Sequence, residues 1–179
     1  MSTVRFKKWV TIFVEKELSL TNFVELILSG KERGKNMQNF GEILKELLEE
    51  NNLSNKQFSE LTGINEGCLS LYIKHGKTPS VKHLITIADY FKCSTDFLLG
   101  KEEYKDNLVF KPCPPFEERI IFLENYMNYK PKDFYSKDGI SKSGYFDWKG
   151  GKRQPLLDNI ITLAVICNCR VDFILGRES

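Results

Sequence analysis

The chain has 179 residues, 41% apolar and 28% charged, and 26 Lys and Arg against 24 Asp and Glu leave a formal net charge of +2. That mixture is globular rather than disordered. The near-neutral balance excludes a polybasic nucleic-acid coat or a membrane-surface binder, but leaves room for one small basic face. No apolar run approaches the roughly 18 residues that span a bilayer. The basic residues Arg5, Lys7 and Lys8 are followed by a stretch broken at Glu15, Lys16 and Glu17, unlike a secretory signal. A cytoplasmic protein with no membrane partner is expected. Its five cysteines (Cys68, Cys93, Cys113, Cys167 and Cys169) are odd in number and include no CxxC pair, with only His75 and His83 to assist. Neither a disulfide framework nor a metal or other cofactor is expected.

In chain order, residues 1–36 contain two apolar stretches, WVTIF and FVELIL, separated by Glu15-Lys16-Glu17. They read as an extension of one or two helices. Alternatively they are a mis-called start, because Gly-Lys-Glu-Arg-Gly-Lys before Met37 can be encoded by a purine-rich run like a bacterial ribosome-binding site. From Phe40, the residues Ile43, Leu44, Leu47 and Leu48 follow the spacing of an amphipathic helix, which Asn51-Asn52 ends. Ser54 is a natural N-cap for a short second helix carrying Phe58 and Leu61, and Gly63 supplies a left-handed stop. Asn65 caps a third helix with Leu69, Tyr72 and Ile73 on its apolar side. Val81, Leu84, Ile85, Ala88 and Phe91 trace a fourth. Ser94 caps a short fifth, closed by Gly100. Residues 103–115 hold Pro112, Pro114 and Pro115 and read as a spacer.

The chain then repeats. Displaced by 76 residues, Phe40 to Glu103 faces Phe116 to Ser179 without a gap, with 18 identities in 64 pairs. Phe58 meets Phe134, Gly63-Ile64 meets Gly139-Ile140, Pro79 meets Pro155, and Asp96-Phe97 meets Asp172-Phe173. Two copies of one helical unit are expected, each near the lower size limit for independent folding.

Residues Asn55 to Lys74 place Gly63 ninth, with Phe58, Ile64, Leu69 and Tyr72 at the apolar positions that hold two short helices at a steep angle. The stretch LSNKQFSELTGINEGCLSLYIKHGKTPSVKHLITIADYFKCSTDFLLG resembles the phage Cro/repressor-type helix-turn-helix, the XRE family. The likeness spans Phe40 to Gly100 and, more weakly, Phe116 to Gly176, about two-thirds of the chain. It implies an all-α protein of two tandem five-helix lambda-repressor-like domains, at 37–102 and, degenerate, at 116–179. It also implies a double-stranded DNA partner, no enzymatic activity, and a bacterial or phage transcriptional regulator that represses by occluding a promoter. A Ser/His/Asp or Cys/His constellation and a Gly-rich phosphate loop are absent from the sequence.

Carried onto this sequence, the resemblance implies phosphate contacts at Asn55 and Gln57, and base contacts at Asn65, Glu66, Gly67, Ser70 and Leu71. Further phosphate contacts fall at Lys74, His75 and Lys77. In the second copy it implies Ser141, Lys142 and Ser143, followed by Lys149, Lys152 and Arg153. That copy departs from the pattern. Tyr135 stands where a small residue is usual, Asp147 would face DNA, and Tyr145, Phe146 and Trp148 exceed what a small core needs. It is therefore either a second DNA reader or a surface for a homodimer or protein partner. An antitoxin that represses its own operon and an interaction module that has lost DNA binding are the competing readings.

Overall fold

The computed structural model describes residues 31–105, 108–135 and 139–178, with side chains from Phe40 onward. The proposed extension at 1–36 lies almost wholly outside these residues. The chain divides into two compact units, Met1–Lys35 and Asn36–Ser179, and the second holds every side chain described below. Among the described residues the regular structure is entirely helical. A first set comprises α1 (Lys31–Glu50), α2 (Asn55–Thr62), α3 (Glu66–His75), α4 (Val81–Phe91) and α5 (Thr95–Leu98). A second comprises α6 (Phe116–Met127), α7 (Pro131–Tyr135), α8 (Lys142–Lys149), α9 (Leu157–Ile166) and α10 (Val171–Leu175).

Local chemistry sets most of the boundaries. Hydroxyl or amide oxygens of Ser54, Asn65, Ser80, Ser94 and Ser141 accept from backbone amides in the first turn of the helix each precedes. Several helices stop at a residue in the left-handed region. After α1, Asn52 (φ 54°) donates to Glu49 and Leu53 donates to Leu48. After α6, Asn128 (φ 53°) donates to Asn125 and Tyr129 donates to Glu124. These two stops are 76 residues apart, and positive φ recurs at the same interval at Gly63 and Gly139, Lys92 and Asn168, and Gly100 and Gly176. The exception is the stop after α8, at Gly151, which comes one position earlier than Gly76 does after α3.

The buried side chains recur at the same interval. Phe40, Leu44, Phe58, Ile64, Leu69, Tyr72 and Leu84 are buried in the first set. Phe116, Ile120, Phe134, Ile140, Tyr145, Trp148 and Ile160 are buried in the second. Leu61, carried with Phe58 on α2, sits in the last turn of that helix and is 59% exposed.

Gly41 fixes how closely α1 approaches α3. A Cβ there would lie 2.4 Å from the Tyr72 carbonyl oxygen, and a backbone atom has little freedom to yield. Gly41→Ala should therefore push the two helices apart and cost about 1–3 kcal/mol. Thermal unfolding should show the loss as a lowered Tm; an unchanged Tm would mean that α1 has slack.

The sets are joined through α5 and α10. The Thr95 amide donates to Asp172 Oδ2 (2.8 Å), and the Asp172 amide donates to Asp96 Oδ2 (3.3 Å). Arg177, fully buried, donates to Asp172 Oδ1 (2.5 Å) and reaches back to Asp89 Oδ1 on α4 (2.6 Å), while its guanidinium lies 4.2 Å from the centre of the Phe110 ring. Burial alone pulls the Arg177 pKa down; Asp172 and Asp89 outweigh it and leave the pKa raised. Arg170 donates to Glu178 (2.8 Å) and to Glu102. Burial raises the Asp96 carboxyl despite hydrogen bonds from the Val171 and Asp172 amides. Arg119 of α6 donates to the carbonyls of Ile174 (3.1 Å) and Phe173, tying α6 to α10.

Candidate nucleic-acid interface

The α2–turn–α3 element is fixed by short-range bonds. Ser54 Oγ accepts from the Gln57 amide (3.3 Å), and Gln57 Oε1 accepts from the Ser54 amide and hydroxyl (both 2.9 Å). The carbonyl end of Gln57 is thereby held, and its exposed NH₂ remains as a donor at the positive end of α2, where a phosphate is favoured. Asn55 beside it is half-buried. At the turn, the Gly63 amide donates to Ser59, the Thr62 hydroxyl donates to Phe58 (2.7 Å), and buried Ile64 pins the chain to the core.

Asn65 Oδ1 accepts from the Gly67 amide (2.8 Å), which leaves its NH₂ exposed at the start of α3. Leu69 and Tyr72 turn inward. Glu66, Gly67 and Leu71 are exposed on the opposite side and Ser70 is half-buried, while Lys74, His75 and Lys77 are exposed at the C-terminal end and following loop. Of the first-set residues singled out in the sequence, those from Asn65 to Lys77 thus lie along α3 and its flanks, and Asn55 and Gln57 stand at the start of α2. Tyr72 Oη is 2.7 Å from His83 Nδ1, which braces α3 against α4. Burial raises the Tyr72 pKa, and burial followed by Lys82 lowers that of His83, so both rings are held in their neutral forms. Neither His83 nor Gly41 was expected from the sequence to position this face. The one available signal for His83 was its place on α4, three residues after the capping Ser80.

The second set builds its corresponding face differently. Helix α7 has only five residues and opens at Pro131, which has no N–H to offer. Two positions on, Asp133 accepts from the Lys130 amide (2.7 Å) and carries negative charge where α2 presents Gln57. Ser141 Oγ accepts from the Gly144 amide (3.0 Å), and Ser141, Lys142 and Ser143 are exposed. Tyr145 and Trp148 are buried and Phe146 is 45% exposed. Tyr135 is half-buried, its ring 5.6 Å from that of Tyr145 and 6.0 Å from that of Phe146, so its bulk packs on α8. Asp147 is half-buried, and its carbonyl accepts from the Lys152 and Arg153 amides.

Lys149, one of the residues singled out in the sequence, is engaged within the second set. Its Nζ lies 2.7 Å from both carboxylate oxygens of Glu124, which also accepts from Tyr145 Oη (2.5 Å), so its charge is neutralised inside the second set. Burial and then Glu124 push the Tyr145 pKa up, keeping that hydroxyl a donor. Lys152 and Arg153 remain exposed on the Gly150-Gly151 loop.

All five cysteines are free thiols. Among the described residues no cluster of three or more His, Cys, Asp or Glu is placed to hold a metal ion, and no helix is long and apolar enough to cross a membrane.

Residues 44–98 match a family model described as helix-turn-helix, of the XRE type. The match runs from the middle of α1 to the last residue of α5 and contains the whole α2–turn–α3 element, so the first helix set carries a helix-turn-helix domain. Helices α6 to α10 lie outside it. No curated protein and no solved structure matches the chain.

Proposed function

We propose that the chain is a sequence-specific double-stranded DNA-binding transcriptional regulator that represses by occupying promoter DNA. One observation carries this reading: the capped, braced α2–turn–α3 element presents polar side chains and cations on the side of α3 opposite its buried face. Placed in a major groove, the Asn65 amide and the Ser70 hydroxyl reach base edges, Glu66 accepts from a cytosine amino group, and Leu71 packs on a thymine methyl. Asn55, Gln57, Lys74 and Lys77 fix the register on phosphates. The matched family is DNA-binding and regulatory rather than enzymatic, which supports the same conclusion.

In residues 116–179, which we read as the second, degenerate copy, Lys142, Ser143, Lys152 and Arg153 favour a second DNA contact. Pro131, Asp133 and the engaged Lys149 weaken it. Protein contact is the alternative there, favoured by the exposed rings of Phe122 and Tyr126, which stack 5.4 Å apart on α6. Replacing Lys152 and Arg153 together with alanine separates the two. If this copy touches DNA, affinity should fall for every sequence and the slope of log K against log salt should drop by about 2. An unchanged slope would assign the copy to a protein.

A further inference from the structure

Thr95 and Val171, Asp96 and Asp172, and Glu102 and Glu178 are pairs separated by 76 residues. The Thr95 amide donates to Asp172, and in the opposite sense Asp96 accepts from the amide of Val171, the counterpart of Thr95, and from that of Asp172. Residue i meeting j while the counterpart of j meets that of i is the signature of a two-fold interface between like subunits. Here it is closed within one chain. We propose that the protein is a single-chain pseudo-dimer: its two copies pair through α5 and α10, one chain covers both half-sites, and no second chain is recruited through this face. The stoichiometry on DNA rests on the DNA-binding reading above; the pairing does not.

Charge makes the pairing specific for unlike copies. Arg170 bridges Glu178 in its own copy and Glu102 in the other, with Asp96 at 3.8 Å. Its counterpart in the first copy is Ser94. Arg177 bridges Asp172 in its own copy and Asp89 in the other, and the counterpart of Asp89 is Val165. Two first copies face to face would set Asp96 and Glu102 against serine where Arg170 now stands. Two second copies would turn Arg177 toward a valine. Glu102 would keep Lys105 (2.6 Å) and Arg177 would keep Asp172 in such like pairs. Only the unlike pair adds the cross-copy bridges from Arg170 to Glu102 and from Arg177 to Asp89, and losing a buried charge's partner is an effective means of rejecting a wrong one. Thr95, Asp96 and Asp172 are already buried, so this face is closed to a further chain.

Light scattering on the full chain, from low to high micromolar concentration, tests the pairing. It is repeated with a duplex of about 30 base pairs drawn by selection from a random pool, long enough for two half-sites a helical turn apart. The expected results are the 20.8 kDa mass of one chain throughout and one chain per duplex. A dimer forming with concentration, or two chains per duplex, would overturn the proposal. A one-chain mass with no duplex bound would support the pairing and overturn the DNA reading. Amide exchange supplies a readout on the unaltered protein. The Thr95 and Asp172 amides should exchange only as slowly as the core, and fast exchange at either would overturn the pairing. Arg170→Ser combined with Arg177→Lys, which installs the first copy's residues, should speed exchange at both amides at least tenfold.

Discussion

Arg177→Ala should destabilise the Asn36–Ser179 unit by about 3–5 kcal/mol, because it leaves the fully buried Asp172 carboxylate without its guanidinium partner. For a unit of this size the loss corresponds to a fall in Tm of about 10 °C, seen by calorimetry or circular dichroism. The bond to Asp89 and the ring contact with Phe110 vanish in the same step, so α4, α10 and the spacer all lose a shared anchor. Removing the acid as well should recover part of the loss. Asp172→Asn with Arg177→Met is expected to be less destabilised than the sum of the single changes, since neither partner is then a lone buried charge. Strict additivity would show that the two groups do not act as a pair.

Lys74→Ala with Lys77→Ala should lower DNA affinity by about tenfold or more for every sequence and flatten the salt slope by about 2, with the fold intact. Both side chains are exposed at the end of α3, so their loss removes phosphate attraction without touching the core. Ser70→Ala and Leu71→Ala should behave differently. They are expected to change which bases are preferred, by about 1–3 kcal/mol at one or two positions, and to leave the salt slope alone. Fluorescence anisotropy across a salt series distinguishes the two classes. If the lysine pair left affinity and slope unchanged, this end of α3 would not be facing phosphate.

How much of this was legible depended on range along the chain. The caps at Ser54, Asn65, Ser94 and Ser141 and the stop at Gly63 act within a turn or two, and the sequence shows them directly. The exposed face of α3 follows from helical period once Leu69 and Tyr72 are taken as core. The pairing of Lys149 was not legible because its partner, Glu124, is 25 residues away on α6, and nothing in the local pattern of α8 announces it. Gly41 stayed hidden for a similar reason: the carbonyl it accommodates belongs to Tyr72 on another helix. The recurring Asp-Phe ending was visible as a repeat, but its cause was not. Asp172 accepts from the Thr95 amide and Asp96 from the Asp172 amide across α5 and α10, a relation between residues 76 or 77 apart that only the fold displays. The repeated acidic residue was the signal available in the sequence; its burial in both copies is visible only in the fold.

The proposed regulation by this protein depends on α2–turn–α3 reading base sequence. Selection of bound duplexes from a random DNA pool by the full chain, followed by affinity measurements on the winners and on scrambled controls across a salt series, tests that most directly. The prediction is a recovered consensus bound at least about a thousandfold more tightly than scrambled DNA, with a preference that shifts in Ser70→Ala. Failure to enrich any sequence, or equal affinity for selected and scrambled duplexes at every salt concentration, would contradict it.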